Sequence, residues 1–227
     1  MAAGYTIAID AMGGDHAPEA ILAGADAALE RYPDVTYVLV GDEAQIKTML
    51  PRHKRLADKA RVVHADDAVP ADMKPSQALR SGRQSSMRLA IDLVANGEAD
   101  CIVSAGNTGA LMAMAKFVLK TLPGISRPAI ASFFPTQRGE SVMLDLGANI
   151  DCSVSNLTQF AVMGAVFANT VLGRQHPSIG LLNVGAEEQK GNAVIRDASA
   201  ALKEMPLPGN FHGFIEGNDI PAGTVDV

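Results

Sequence analysis

The stretch Ile7–Ala20, IAIDAMGGDHAPEA, runs from an apolar segment through an aspartate and paired glycines to an acid, a histidine and a proline. An apolar run, a glycine turn and a proline at a helix start mark a strand that passes directly into a helix. That reading explains the glycines and the proline. It leaves Asp10, Asp15 and His16 with more chemistry than a turn requires.

The same order recurs along the chain. Short β-rich runs lie at 6–10, 35–41, 61–65, 100–106, 129–134, 141–147, 178–185 and 211–217, most of them continuously apolar, as strands covered on both faces are. Segments with helical spacing lie between them: 18–32 with Ile21, Leu22, Ala25 and Leu29 on one face, 85–100 behind a serine cap, 156–172 and 192–205. Alternation of this kind requires crossover connections, and so predicts a three-layer α/β/α sandwich around a mainly parallel sheet. The runs at 129–134 and 141–147 are separated by too little chain for a helix, which predicts an inserted antiparallel hairpin. With no linker or repeat, residues 1–227 are expected to form a single α/β domain. The last six residues, AGTVDV, read as a turn and the opening of a further strand, so the chain is expected to be truncated at its C-terminus.

Composition narrows the function classes. Of 227 residues 48% are hydrophobic and 19% charged, and a chain of this length buries roughly 70% of its unfolded surface, so a sizeable core is expected. The net charge of -6 argues against a nucleic-acid-binding protein, which needs clustered Lys and Arg. Cys101 and Cys152 stand far apart with no metal spacing, and His16, His53, His64, His176 and His212 show none either. Reduced thiols, no bound metal and a soluble cytoplasmic chain are expected.

In open α/β sheets ligands bind beyond the carboxyl ends of the strands. Three loops there hold the candidates. The first carries Asp10, Gly13, Gly14, Asp15 and His16; a capping role for Asp15 and a solvated His16 compete with a site in which an acid orients the imidazole for proton transfer. The second, Ser104–Ala115, passes through Gly106, Asn107, Thr108 and Gly109 into an apolar helix, where free amides form an anion cradle. It has neither the glycine spacing of a dinucleotide fingerprint nor the lysine of a P-loop. The third, Asn183–Ala193, brings Asn183, Gly185, Glu187 and Lys190 together; phosphate binding, carbonyl polarisation and simple solvation all remain open for it. A polar stretch with Lys74, Arg80, Arg83 and Arg88 suits phosphate or an acidic protein partner, or forms a solvated basic face, and the RHKR run at 52–55 reads as a solvated helix end. With no nucleophile elbow and no activated cysteine, covalent catalysis is not indicated; a bound nucleophile attacking a bound electrophile is.

The motifs IAIDAMGGDHAP, SQALR with SSMRLA, VSAGNTGALMA, LPGISRPA, MLDLGAN, FAVMGAVFA, LLNVGAEEQKGN and NFHGFIEGNDI occur in order over the whole chain. In them the sequence resembles the PlsX-type phosphate acyltransferases of bacterial phospholipid synthesis. The resemblance implies transfer of a long-chain fatty acyl group from acyl carrier protein to inorganic phosphate, giving acyl phosphate, with no metal or redox cofactor. It implies a fold similar to phosphotransacetylase and the isocitrate and isopropylmalate dehydrogenases, a homodimer, and peripheral contact with the inner face of the membrane through a later region absent here. Relatives continue past TVDV into a glycine-rich loop and further helices.

On this basis phosphate is expected at Asn107, Thr108 and Gly109 with help from Lys190, Asn183 is expected to stabilise the oxyanion, and His16, steered by Asp10 or Asp15, is expected to handle the proton. Lys74, Arg80, Arg83 and Arg88 are expected to dock the carrier protein. The alternatives are a phosphotransacetylase-like enzyme acting on acyl-CoA and a non-catalytic fragment that keeps the fold and anion binding.

Overall fold

The computed structural model describes residues 4–227, and its contacts group the chain into two compact units, Met1–Thr121 and Leu122–Val227, where the sequence reading takes 1–227 as one domain.

The first unit is built on a four-stranded parallel sheet in the order β3-β2-β1-β4, with β1 Thr6–Asp10, β2 Thr36–Gly41, β3 Ala60–His64 and β4 Cys101–Val103. Successive side chains of a strand point to opposite faces. Ile9 and Leu39 therefore pack to one side with Leu22, Ile46 and Leu56, while Ala8, Val38 and Val40 pack to the other with Ala90 and Leu93. Both faces are covered, which is why these strands read as unbroken apolar runs. The first face is covered by α1 Glu19–Ala28, α2 Glu43–Met49 and α3 Lys54–Lys59, and the second by α5 Ser86–Ala95. Helix α6, Thr108–Leu119, packs on α5, and helix α4, Pro75–Ser81, packs on α6, in a cluster of Ala78, Met87, Ile91, Ala110 and Met114.

The short helices α2 and α3 have no counterpart in the apolar periodicity. Asp42 starts α2 by accepting from the amide of Gln45 at 3.0 Å, a cap that needs no long apolar face. In the RHKR run, Arg52 ends a 3-10 turn and Arg55 lies inside α3. Arg55 is more than a solvated residue at a helix end: it donates to Asp26 at 3.1 Å and to Glu30 at 2.5 Å, and Asp26 also accepts from the Leu56 amide at 3.0 Å.

The second unit begins with the expected hairpin, β5 Ala131–Thr136 antiparallel to β6 Gly139–Leu144, which forms a two-stranded sheet of its own. Helix α7, Val154–Leu172, starts at a reciprocal cap between Ser153 and Asn156. Strands β7 Ser178–Leu182 and β8 Asn210–Ile215 pair in parallel across α8 Ala193–Glu204, and a short α9 spans Asp219–Ala222. Ala161, Ala165, Ile179 and Leu202 form the core. The final residues are hydrogen-bonded on both edges: Val142 N donates to Asp226 O at 2.8 Å, and Gly180 N donates to Val227 O at 2.8 Å. The Asp226 carboxylate also accepts from the Ser178 amide and hydroxyl at 2.9 and 2.7 Å. Among the described residues no helix is long and apolar enough to cross a membrane.

The Leu56 amide, then the Arg55 guanidinium, hold the Asp26 carboxyl below its ordinary value. A depressed carboxyl stabilises the fold above its unfolded pKa and loses that contribution as pH falls through the folded value. The difference in urea midpoint between the parent and Asp26→Asn is therefore expected to narrow as pH drops below about 3.9, the ordinary carboxylate pKa; denaturation curves at neutral and acidic pH check it.

Candidate active site

Asp10 closes β1 and is only 2% exposed. Burial of a carboxyl demands partners, and two hydroxyls supply them: Ser86 Oγ, from the first turn of α5, donates to Oδ1 at 2.5 Å, and Ser104 Oγ, just past β4, donates to Oδ2 at 2.7 Å. Ser104 Oγ in turn accepts from the Gly106 amide at 3.1 Å. One side chain thus ties the ends of two strands to the start of a helix. The arrangement brings Gly13 and Gly106 together: a Cβ on Gly106 would stand 3.2 Å from the Gly13 Cα, and one on Gly13 would stand 2.5 Å from Asp10 Oδ2. Glycine at both positions is a requirement of close approach.

Above this knot lies a cleft of about 630 Å³, lined by Gly14, Asp15, Gly106, Asn107, Thr108 and Gly109 together with the segment Ala68–Ala71. The first two predicted loops therefore share one site, with Gly13 and Ser104 packed behind it. Asn107 is the N-cap of α6. Its Oδ1 accepts from the Ala110 amide at 3.0 Å, and its Nδ2 donates to the carbonyls of Pro70, Ala71 and Met73 at 3.3, 3.0 and 2.8 Å. The side chain expected to bind phosphate is occupied in holding the cleft wall. The amides of Thr108 and Gly109, in the first turn of a 12-residue helix, have no partner among the described residues. Gly109 also lets α4 approach, since a Cβ there would meet Pro75 Cγ at 2.8 Å.

Asp15 and His16 are exposed, and among the described residues no hydrogen bond or ion pair joins His16 to Asp10 or Asp15. The structure commits Asp10 to two serines instead of an imidazole.

The third loop belongs to the second unit. Asn183 is 7% exposed, donates to the Lys190 carbonyl at 3.1 Å and accepts from the Val184 amide at 2.9 Å. Its amide therefore closes its own loop. Gly185 is buried beneath Glu187 and Lys190, whose side chains would crowd a Cβ at 2.8 and 3.0 Å; both of these charged residues are exposed.

Of the four basic residues, Lys74, Arg80 and Arg83 are exposed on and beside α4. Arg88 is engaged: its Nε donates to Asp92 at 2.9 Å, its side chain is 16% exposed, and its guanidinium lies 6.0 Å from the Phe117 ring. Desolvation first, and the neighbouring Asp100 second, push the Cys101 thiol up; desolvation, then Asp145, does the same at Cys152. Neither is an activated nucleophile. Among the described residues no three His, Cys, Asp or Glu side chains gather to hold a metal ion.

Residues 5–227 match the model of the family described as Fatty acid synthesis protein. The chain belongs to this family. Among its relatives, the phosphate acyltransferase of Rhodospirillum centenum is 67% identical over 223 residues, which make up 98% of this chain and 63% of that protein. The phosphate acyltransferase of Paramagnetospirillum magneticum is 56% identical over 227 residues, 100% of this chain and 65% of that protein. The chain thus spans under two thirds of the length of the relatives it matches. Two solved structures share the fold: the EutD phosphotransacetylase from Staphylococcus aureus, with a TM-score of 0.66 at 17% identity over 99% of this chain and 74% of that one, and a phosphotransacetylase from Streptococcus pyogenes, with a TM-score of 0.67 at 16% identity over 100% and 75%. The likeness confirms the α/β architecture with its mainly parallel strands and antiparallel hairpin.

Two features of this family member escaped the sequence reading. Ser86 sits 76 residues from the Asp10 it serves, and its serine-rich surroundings signal only a helix cap. Asp145, at the end of β6, accepts from the Ile130 amide at 2.8 Å and from the Asn149 amide and side chain at 2.6 and 3.0 Å. The strand-end rule that singled out the other loops applies equally to MLDLGAN.

Replacing both Ser86 and Ser104 by alanine strips Asp10 of its side-chain donors. Hydrogen bonds to a charged group are worth about 1.5–3 kcal/mol each, so the double variant is expected to lose several kcal/mol in urea unfolding, and adding Asp10→Asn is expected to cost little more because the three act as one unit.

Proposed function

We propose that this chain carries the phosphate-binding part of a phosphate acyltransferase, which moves a long-chain fatty acyl group from acyl carrier protein to inorganic phosphate. The observation that carries the reading is the pair of unpartnered amides, Thr108 and Gly109, facing a cleft at the start of α6. Such amides, together with the positive end of the helix dipole, favour an oxyanion.

Phosphate held there presents an oxygen to the thioester carbonyl. The C–O bond forms, the C–S bond breaks, and the carrier thiolate leaves and takes a proton. Positioning and charge stabilisation carry the chemistry, because phosphate is itself the nucleophile. His16, exposed at the end of the first loop, is the proposed proton donor or substrate contact, and Asp15 lines the cleft. Lys190 offers an exposed ammonium, and its part in binding phosphate is proposed on that chemistry alone. The geometry at Asn183 favours a loop-holding role over oxyanion stabilisation.

For the carrier protein, Lys74, Arg80 and Arg83 form the proposed docking cations. Lys74 immediately precedes Pro75, which packs on Gly109, so this basic stretch starts beside the cleft. Charge complementarity of this kind speeds encounter and is weakened by salt. A single domain and a cytoplasmic protein, expected from the linker-free sequence and its composition, belong to the same proposal; the homodimer and the peripheral contact with the membrane rest on the resemblance alone.

Thr108→Pro is the sharpest test. Proline is well tolerated at a first helical position, and Asn107 already has the extended backbone that a residue before proline prefers, with φ -64 and ψ 106. The variant keeps α6 and removes one amide. Calorimetric titration with inorganic phosphate is expected to show a loss of about tenfold or more, the worth of one hydrogen bond to a charged group, while Thr108→Ala binds like the parent. Equal affinity in all three removes phosphate from this cleft.

Turnover is tested by trapping acyl phosphate with hydroxylamine. Lys190→Ala is expected to lower the rate by about tenfold or more, and His16→Ala by roughly 10²–10⁴, the usual range for proton handling; wild-type rates in both would overturn the role assignment. Phosphate binding without any acyl phosphate favours the non-catalytic reading.

A further inference from the structure

The cleft of the first unit offers an anion two main-chain amides and one carboxylate. Asp15 is the single ionisable side chain in its lining, among residues that are otherwise glycine, alanine, valine, proline, methionine, asparagine and threonine. An ionised carboxylate can only accept hydrogen bonds, and it repels an anion brought beside it. Among the described residues no lysine, arginine or histidine in the lining offsets it. The segment between β3 and α4 adds the exposed carboxylates Asp66, Asp67 and Asp72 and one exposed cation, Lys74, while His16 follows Asp15 in the chain.

Asp15 is not spent on the fold. Pro18 precedes α1 and the helix has no side-chain cap, so Asp15 does not serve as one. Among the described residues its carboxylate has neither an ion pair nor a hydrogen bond. Backbone packing sets where it stands. Gly14 has φ +105, and a Cβ there would lie 3.1 Å from the Ala105 carbonyl oxygen; a Cβ on Gly13 would lie 3.0 Å from the Gly106 amide nitrogen. The first loop therefore rests directly on the loop that leads into α6, and Asp15 is the next residue along.

Open amides and a carboxylate suit different parts of one ligand: amides take charged oxygens, and the carboxylate takes a hydroxyl. Among tetrahedral oxyanions at neutral pH, inorganic phosphate and arsenate keep at least one hydroxyl hydrogen, whereas sulfate and monofluorophosphate have none. A proton-free oxyanion beside Asp15 sets acceptor against acceptor. Unpaired charge of this kind is a means of rejecting a wrong ligand, and a site built to bond a hydroxyl discriminates against analogues that lack it.

We propose that Asp15 is the specificity-determining residue of the cleft: resting on the reading of this cleft as a phosphate site, it accepts a hydrogen bond from the P–OH of phosphate while the Thr108 and Gly109 amides hold the charged oxygens, and it turns away oxyanions that carry no proton. The role differs from that of orienting His16, because it acts on the choice of anion.

Calorimetric titration of the chain with phosphate, arsenate, sulfate and monofluorophosphate, at neutral pH and fixed ionic strength, tests it. The parent is expected to bind phosphate and arsenate about tenfold or more tighter than sulfate and monofluorophosphate, the worth of one hydrogen bond to a charged group. Asp15→Asn puts an amide donor in the same place and is expected to bring the four anions to similar affinity by gaining the two proton-free ones, a gain that damage to the fold cannot produce. Asp15→Glu keeps the acceptor and is expected to keep the preference. Equal binding of all four by the parent, an unchanged preference in Asp15→Asn, or arsenate grouping with sulfate overturns the proposal and leaves the cleft an anion site. Absence of phosphate binding, or phosphate affinity that Thr108→Pro leaves unchanged, removes phosphate from the cleft, and the role of Asp15 falls with it.

Discussion

A carboxyl group removed from water organises the first unit. Asp10 keeps its buried place at the end of β1 because two hydroxyls, 76 and 94 residues further along the chain, donate to its two oxygens. Neither serine is near Asp10 until the parallel sheet has formed and α5 has docked, so the network closes only in the assembled fold. Partly satisfied polar networks are costly in a low-dielectric interior, and complete ones fix a single arrangement. The Gly13 and Gly106 contact, and with it the floor of the cleft, follows from that arrangement.

A second regularity links the two units. Each holds a strand-end loop together with an amide side chain: Asn107 spans three carbonyls and a helix amide, and Asn183 spans a carbonyl and an amide of its own loop. Asparagine offers both donors and an acceptor, so one residue can satisfy several backbone groups that a tight loop leaves without partners. These residues act as loop fasteners, each spending its amide side chain on the backbone of its own unit.

Much of this was legible in the residues themselves. Continuous apolar runs gave β1 and β2 to within a residue, because both faces of those strands are covered, whereas the run at 178–185 overshoots the end of β7 at Leu182. The short loop after Phe134 gave the hairpin, and the strand-end rule gathered the glycines that now line one cleft. Helices α2 and α3 were missed because seven and six residues carry too few turns to show a period. The commitments of Asp10, Arg55 and Arg88 were missed for a different reason. Each depends on partners set by packing, and charge or polarity in a sequence does not reveal whether a group is already engaged. Asp145 shows the opposite failure, a signal present at a strand end and passed over beside louder ones.

The cap at Asn107 has a bearing on how such a site changes over time. Because the open donors at α6 are main-chain amides, their number does not depend on which side chains line the cleft. Alanine scanning of the cleft would therefore return a map dominated by fold-breaking positions such as Asn107, and would pass silently over the open main-chain amides. A donor pattern written into the backbone persists through extensive side-chain drift, so that divergent sequences can keep the same array of amides while sharing little beyond their glycines and the turn that positions them.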